Sequence, residues 1–448
     1  MNKENNIFER VNSWIRNSVM LKLFTITILM LLLLIPASMI KSIISEREVL
    51  SEAAIQEVSS KWADKQQING PVLTIPLVYE YLEEGKLIQT TRYWYLLPEV
   101  LNINGKVEPE KLRRNIYEIV VYKSNLNVSG KFVFDKTPDQ ENLKSIQYKK
   151  AFLTVGISDL KGIKDQIVLK WNSQPLKVEP GSLISDIIYS GVTIGIPNLE
   201  AQMEKPIDFS FSLNLHGSQN LSFVPLGSTT QVNLTSNWPS PSFNGNFLPN
   251  HREITPEGFK ADWKVLQLNR NYPQSWVGSS QGRKMDSAAF GVNLLLPLDD
   301  YQKSMRSAKY AVMTIALTFL IFFLVEILNG RKIHPFQYIL VGLALTLFYI
   351  LLISISEHSN FNIAYAISTL SIVTMITLYS LSIFKAKKLT MLLVTTLIGI
   401  YGFLFVTLQL ADYALLMGSI GLTLILAATM YFTRNINWYK LNRNEKTE

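Results

Sequence analysis

Cysteine is absent from the 448 residues of this chain, and histidine occurs only four times. The first absence excludes disulfides, thiolate metal sites and cysteine nucleophiles, although it does not identify the compartment. No two histidines lie close together in the sequence, and neither H-E-x-x-H nor the phosphate-binding pattern G-x-x-x-x-G-K-[ST] occurs. We therefore assign no catalytic residue, no metal ligand and no cofactor.

Charge is absent from residues 23–40, an apolar run of eighteen positions that is long enough to cross a bilayer as a helix. No comparable run occurs in the next 268 residues, 41–308. Five further apolar runs follow, at 310–328, 336–355, 361–384, 389–410 and 413–432. We expect six transmembrane helices, the first an uncleaved anchor, since small residues are missing from the cleavage-site positions that a signal peptide needs.

Lysine and arginine are missing from two of the four short turns between the C-terminal runs, 356–360 and the residues around Asp412. The two tails and the two other turns carry thirteen: Lys3, Arg10, Arg16, Lys22, Arg331, Lys332, Lys385, Lys387, Lys388, Arg434, Lys440, Arg443 and Lys446. Thirteen against none predicts that both tails, 1–22 and 433–448, are cytoplasmic. The long region 41–309 then lies on the opposite face of the membrane.

The long region also lacks a charge excess, because residues 41–308 hold 29 basic and 28 acidic side chains. The net charge of +8 therefore comes from the ends of the spans, where anionic lipid headgroups attract lysine and arginine. A nucleic-acid partner needs clustered basic residues on the folded domain. We exclude nucleic acid and expect the lipid bilayer as a partner.

Hydrophobic periodicity divides the long region into a helix and a β domain. Residues 42–68 carry an apolar stripe at intervals of four, which predicts a helix that continues the first span until "NGP" at 69–71 stops it: Leu50, Ala54, Val58 and Trp62. From there the period is two, most clearly in "DFSFSLNLHG" at 208–217. We expect an antiparallel, sandwich-like β domain, with His216 as a solvated residue at a strand end.

Residues 242–263 combine turn residues with aromatic and charged side chains: Phe243, Phe247, His251, Arg252, Glu253, Phe259 and Trp263. One interpretation is a loop that binds a ligand or partner through charges held on an aromatic platform. The other is a long connection between strands whose aromatics fill the core. Residue types favour the second interpretation, since most loop aromatics simply pack.

Two polar pairs flank the apolar runs: Glu326 with His334, and Glu357 with His358. A carboxylate inside the membrane is a candidate functional group. Each pair lies at the end of a run, however, where a long side chain can extend to the headgroups at little cost. We expect Glu326 to do so, or to pair with His334, Arg331 or Lys332. This interpretation is favoured over a proton relay.

Several longer stretches resemble one family. "GPVLTIPLVYEY", "NGNFLPNHREITPEGFKADWKV", "FGVNLLLPLDDYQKSMRSAKYAVMTIALTFLIFFLVE" and "HPFQYILVGLALTLFYILLISISEHSNFNIAYAIS" are similar to the CreD family of bacterial inner-membrane proteins. The resemblance covers nearly the whole chain. It implies one span, a large periplasmic domain and a membrane bundle, together with roles in envelope integrity, stress response and colicin tolerance. It implies no catalytic residue.

We therefore expect a non-enzymatic inner-membrane protein that maintains the cell envelope under stress by periplasmic sensing or binding. The alternative is a transporter or a lipid-handling protein that uses the C-terminal helices. A transporter should bring polar groups together at mid-membrane or have broken helices. The sequence leaves the ligand, the partner and the oligomeric state open.

Overall fold

The computed structural model describes residues 19–434 except 84–85, 115–116, 135–137, 139–140, 279, 295–299, 329–332 and 411–412. The chain divides into two compact units. The helical unit consists of Met1–Leu50 with Leu298–Glu448, and the β unit of Ser51–Pro297.

Nine α-helices are described: α1 Val19–Trp62, α2 Leu199–Gln202, α3 Gly282–Ser287, α4 Asp300–Lys309, α5 Ala311–Leu328, α6 Pro335–Ser356, α7 Phe361–Phe384, α8 Lys387–Gln409 and α9 Ala414–Thr433. Helix α1 confirms that the first span continues as a helix beyond residue 40. It ends at Trp62, so the predicted stop at 69–71 is wrong. Asn69, Gly70 and Pro71 lie inside a strand instead, where the register to the neighbouring strand is irregular.

Five helical segments are long and apolar enough to cross a membrane: Met20–Trp62, Gln302–Ile327, Pro335–Ser356, Phe361–Phe384 and Lys387–Gln409. They coincide with the first five predicted spans. The sixth predicted span falls on α9, but the apolar stretch found there, Leu416–Tyr431, is shorter than the other five. A sixth crossing stays a prediction.

One stripe of α1 packs into the core of the helical unit. Its fully buried residues recur every three or four positions, as on one face of a helix: Leu33, Ala37, Ile40 and Ile44. Gly342 of α6 permits the close approach of α1, because a Cβ at this position would collide with the side chain of Leu33. Small residues at contacts between membrane helices act in this way.

Eighteen strands are described in the β unit: β1 Gln66–Glu83, β2 Lys86–Leu96, β3 Val100–Arg114, β4 Tyr117–Phe132, β5 Leu143–Ile146, β6 Phe152–Ile157, β7 Leu169–Trp171, β8 Gln174–Leu176, β9 Glu179–Pro180, β10 Gly191–Gly195, β11 Ile207–Ser218, β12 Asn220–Phe223, β13 Thr229–Ser236, β14 Pro241–Gly245, β15 His251–Thr255, β16 Gly258–Leu266, β17 Ser275–Val277 and β18 Phe290–Leu294. They form a ten-stranded and an eight-stranded sheet. One hydrophobic cluster takes residues from both sheets, so the predicted sandwich is confirmed.

Strand β11 shows why the alternating sequence folds as a strand. Its apolar side chains are buried: Phe209, Phe211, Leu213 and Leu215. The polar side chains between them are partly or fully exposed, as the period of two predicts. Strand β1 is buried along most of its length, and it has neighbours on both sides within the ten-stranded sheet.

The expectation of an antiparallel domain is wrong for two strand pairs. Strand β12 runs parallel to β1, and β13 runs parallel to β3. A long segment of the chain separates β12 from β1 and β13 from β3, and it brings each later strand back beside its early partner. Periodicity shows which face of a strand is buried, but it does not encode the direction of the neighbour.

His216 is not a solvated residue at a strand end. It pairs with Lys123 within the β4–β11 ladder. Its ring stacks on Trp62 with centroids 4.6 Å apart. Burial, followed by the nearby Lys164 and Lys123, lowers the pKa of His216. His216 is therefore a packing residue that contacts the end of α1.

Candidate functional site

Residues 242–263 form strands rather than a long loop. Strand β14 belongs to the ten-stranded sheet, whereas β15 and β16 belong to the eight-stranded sheet. The chain therefore passes from one sheet to the other between Gly245 and His251. Strands β15 and β16 then form a hairpin around Pro256 and Glu257.

The aromatic residues of this segment fill the core, as the favoured interpretation predicted. Trp263 is 1% exposed and lies against Phe243 and Phe290, with ring centroids 5.6 and 5.7 Å away. Its indole Nε1 donates a hydrogen bond to the carbonyl of Phe247 at 3.2 Å. Phe247 is half-buried against the same core. These contacts pack the base of the hairpin into the core of the β unit.

The charged residues of the segment lie on β15, whose five residues are all exposed. His251 Nδ1 lies 3.2 Å from Asp262, and Lys260 Nζ lies 3.9 Å from Glu253, both across the β15–β16 pair. Arg252 lies opposite Ala261. Strand β15 is the terminal strand of its sheet, so the main-chain groups of its outer edge can pair with another strand.

The helical unit holds a second candidate site, around Glu326. This residue is 4% exposed, so it does not extend to the headgroups as expected. Its Oε1 lies 2.9 Å from Lys22 Nζ of α1, and its Oε2 accepts a hydrogen bond from Tyr338 of α6 at 3.0 Å. The partners expected for Glu326 from the sequence were instead His334, Arg331 or Lys332. Burial of the carboxylate is possible because an ammonium and a hydroxyl replace its water.

His334 caps helix α6 instead of pairing with Glu326. Its Nδ1 accepts a hydrogen bond from the Phe336 N–H at 3.2 Å, and its own N–H donates to Gln337 Oε1 at 2.9 Å. Pro335 occupies the first helical position, where a missing N–H costs nothing. Glu326 and His334 nevertheless line one cavity of about 470 Å³, together with Lys22 and Tyr338. Arg331 and Lys332 lie outside the described residues.

The second polar pair, Glu357 with His358, lies at the far end of α6. Glu357 faces Arg47 of α1 at 3.7 Å, whereas His358 is exposed. Lys22 and Arg47 are 25 positions apart on one helix, which corresponds to ~38 Å. A bilayer has a hydrocarbon core of ~30 Å. The two ion pairs therefore lie at opposite ends of the span, and this spacing favours an interfacial position over mid-membrane.

A further short motif follows β17 and ends at the first residue of α3. Residues 278–282, "GSSQG", have the G-x-S-x-G spacing of a hydrolase nucleophile. Ser280 Oγ accepts a hydrogen bond from Gln281 Nε2 at 3.1 Å. Within the described residues no histidine hydrogen-bonds to Ser280, and no group of three metal-ligating side chains occurs. The spacing alone therefore assigns no catalytic serine.

Comparison with known proteins agrees with the plan of one apolar N-terminal helix, a β-rich middle and apolar C-terminal helices. A family model described as Inner membrane protein CreD matches residues 18–439. The chain belongs to the CreD family. Inner membrane protein CreD of Escherichia coli (strain K12) is 34% identical to it over 414 residues, which cover 91% of each chain. This chain is therefore an inner-membrane protein, and the family match contains both candidate sites.

Proposed function

We propose that this CreD-family chain maintains the integrity of the cell envelope under stress, and that it does so by binding rather than catalysis. The β unit recognises a partner, and the helices hold it at the membrane. Family membership supports the envelope role. The exposed terminal strand β15, on its buried aromatic base, is the observation that carries the binding role.

Strand β15 suits a partner that adds an extended segment to the sheet. Arg252 and Ile254 lie on the face whose neighbours in β16, Ala261 and Phe259, are buried. An added strand would cover Ile254, which is 49% exposed, and would continue the core of the sandwich. Main-chain hydrogen bonds supply affinity in this mode, and alternate side chains supply specificity. An acidic side chain opposite Arg252 is the complement that we expect.

The membrane orientation belongs to the same proposal: both termini lie in the cytoplasm and the β unit in the periplasm. The thirteen lysines and arginines in the tails and alternate turns support it. Reporter fusions after residues 334 and 387 should indicate cytoplasm, and fusions at 200 and 358 should indicate periplasm. A cytoplasmic reporter signal at 200 would overturn the orientation and the periplasmic binding site together.

The binding role is tested by Arg252→Ala in cells whose envelope depends on this protein. We expect loss of envelope protection, measured by detergent or colicin sensitivity, at a normal protein level and with an unchanged melting temperature. A photo-crosslinking residue at position 254 should capture a protein in the presence of Arg252, and much less of it after Arg252→Ala.

Glu253→Ala is the matched control, because Glu253 lies beside Arg252 but on the opposite face of β15. It should leave protection and crosslinking nearly intact. Full protection by the Arg252→Ala variant would count against this site. Trp263 is unsuitable for crosslinking, since its ring is buried.

The transporter alternative has less support in the spans. Asp, Glu, Lys and Arg are absent from residues 23–40, 335–356 and 361–384. Glu326 lies in the last turn of α5, two residues before the helix ends at Leu328. Helices α6, α7 and α8 each run through their span as one element. These features favour anchoring over alternating access.

A further inference from the structure

The first described turns of α1 are covered less completely than the stretch from Leu33 to Ile44 on the same helix face. The stripe that is buried at Leu33, Ala37 and Ile40 continues backwards through Leu29 and Ile26, which are only partly buried. The cavity of about 470 Å³ lies here, within the helical unit, between the start of α1, the end of α5 and the start of α6. This inference is independent of the proposed binding by β15.

The cavity has an apolar and a polar part. Its apolar lining includes Leu21, Ile26, Leu29 and Ile333. Water gains too few hydrogen bonds in such surroundings to fill them, whereas a hydrocarbon chain that enters from a bilayer exchanges one apolar environment for another. A cavity partly open to the membrane is thus filled most favourably by an acyl chain.

The polar part offers hydrogen-bond donors. The Lys22 ammonium has three N–H groups, and the pair with Glu326 at 2.9 Å uses one of them. The Lys22 side chain remains 27% exposed. His334 accepts at Nδ1 from Phe336, so the neutral ring carries its proton on Nε2 and can donate there. Both residues line the cavity.

We propose that this cavity binds one membrane phospholipid. Its phosphodiester accepts hydrogen bonds from Lys22 Nζ and His334 Nε2, and one acyl chain lies along Ile26 and Leu29. Glu326 neutralises much of the Lys22 charge, so the site suits a single phosphodiester rather than a polyanion. Such a lipid completes the packing between α1 and α6 where protein side chains leave it unfinished.

The test is native mass spectrometry of the full-length protein, extracted in a mild detergent and supplied with phosphatidylglycerol or phosphatidylethanolamine. We expect one retained phospholipid. His334→Ser keeps a side-chain oxygen that can cap α6 but removes the Nε2 donor, and should lower retention about tenfold, as expected for a lost hydrogen bond to a charged group. Ile26→Trp, which fills the apolar part without changing charge, should abolish retention.

Lys22→Gln combined with Glu326→Gln removes both charges and leaves no unpaired buried carboxylate. It should keep the fold but lower retention by a similar factor. Lys388→Gln at the start of α8 is the control, since it removes one lysine outside the cavity and should change nothing. Wild-type protein without bound lipid, or equal retention by wild type, His334→Ser and Ile26→Trp, would overturn the proposal.

A second arm separates a lipid headgroup from free phosphate. Thermal stability of delipidated wild-type protein should rise with added phosphatidylglycerol and stay constant with inorganic phosphate at the same concentration. The Ile26→Trp variant should lose the response to lipid. An equal response to inorganic phosphate would overturn the lipid assignment, because the acyl chain would then contribute nothing.

Discussion

The two units of this protein use charged side chains in opposite ways. In every ion pair described in the β unit, both side chains keep 26% or more of their surface exposed. In the helical unit the carboxylate of Glu326 is 3% exposed and is held by Lys22. Exposed pairs contribute little to stability, whereas breaking a buried pair is costly. Loss of one partner from the buried Lys22–Glu326 pair should therefore destabilise the protein more than loss of one partner from an exposed pair in the β unit.

Serine and threonine hydroxyls provide a second contrast between the two units. In the helices, Thr318 and Thr407 donate to main-chain carbonyls four residues earlier in the same helix. In the β unit, Ser212 donates to Asn127 and Thr193 donates to Gly181, both across neighbouring segments. A bilayer offers no water to a polar group, and these two threonines are satisfied within their own helix. In a sandwich, these bonds connect distant parts of the chain.

The largest expected effect concerns the core of the β unit. Trp263→Ala should lower the free energy of unfolding by about 3–5 kcal/mol, since a large buried ring is lost and a cavity remains. The loss should appear as a lower melting temperature of the β circular-dichroism signal of the full-length protein. Arg252→Ala, on the same hairpin but exposed, should change stability by about 0.5 kcal/mol or less. Equal losses would contradict the division into a buried base and an exposed edge.

The next effect tests the buried ion pair of the helical unit. Lys22→Met leaves Glu326 without its cation and should cost about 1–3 kcal/mol, less than a fully buried pair because Lys22 is partly exposed. Lys22→Met with Glu326→Gln should recover most of the loss, since the amide can still accept from Tyr338. Denaturation in mixed micelles measures both. If the double variant is as unstable as the single one, the charge of Glu326 is not the cause.

The contact between α1 and α6 should depend on size rather than charge. Gly342→Val places a side chain against Leu33 and should destabilise this contact by about 1–3 kcal/mol through overpacking. Adding Leu33→Ala should restore part of the loss, because it vacates the space that valine needs. The same micelle assay applies. No rescue would mean that Gly342 is required for a reason other than the approach of Leu33.

The smallest expected effect lies on the surface of the β unit. The hydrogen bond from Arg113 is the main cause that lowers the pKa of Glu118. A lowered pKa stabilises the folded state above the ordinary value of 4.5 and loses this contribution as pH falls through the folded pKa. Arg113→Ala should cost less than about 1 kcal/mol at neutral pH and nothing at pH ~2. Urea unfolding at both pH values measures it, and a loss that persists in acid would contradict the ionic origin.

Much of the architecture could be predicted from the chain alone, because it depends on local periodicity. An apolar run long enough to span a bilayer is helical wherever it packs, and the alternation in β11 shows which of its faces is buried. The aromatic base around Trp263 was predicted as core for the same reason. The position of Arg252 on a terminal strand was not predicted, since a terminal strand and a central strand have similar residue patterns.

The partner of Glu326 could not be predicted either. Lys22 is 304 positions away in the chain, and nothing in its surroundings distinguishes it from the other basic residues at the ends of the spans. Proximity in sequence suggested His334, Arg331 and Lys332. The pair with Lys22 arises only when α1 packs beside α5, which the contact of Leu33 with Gly342 helps to position.

By itself the sequence determined which segments are apolar helices and that the strands of the long middle region form a sandwich. These properties follow from the solvent that each side chain requires. Only the tertiary structure decided that β12 and β13 run parallel to early strands, that β15 ends its sheet, and that Lys22 meets Glu326 beside a cavity. These depend on which distant segments become neighbours, and the energy of such contacts is absent from any local pattern.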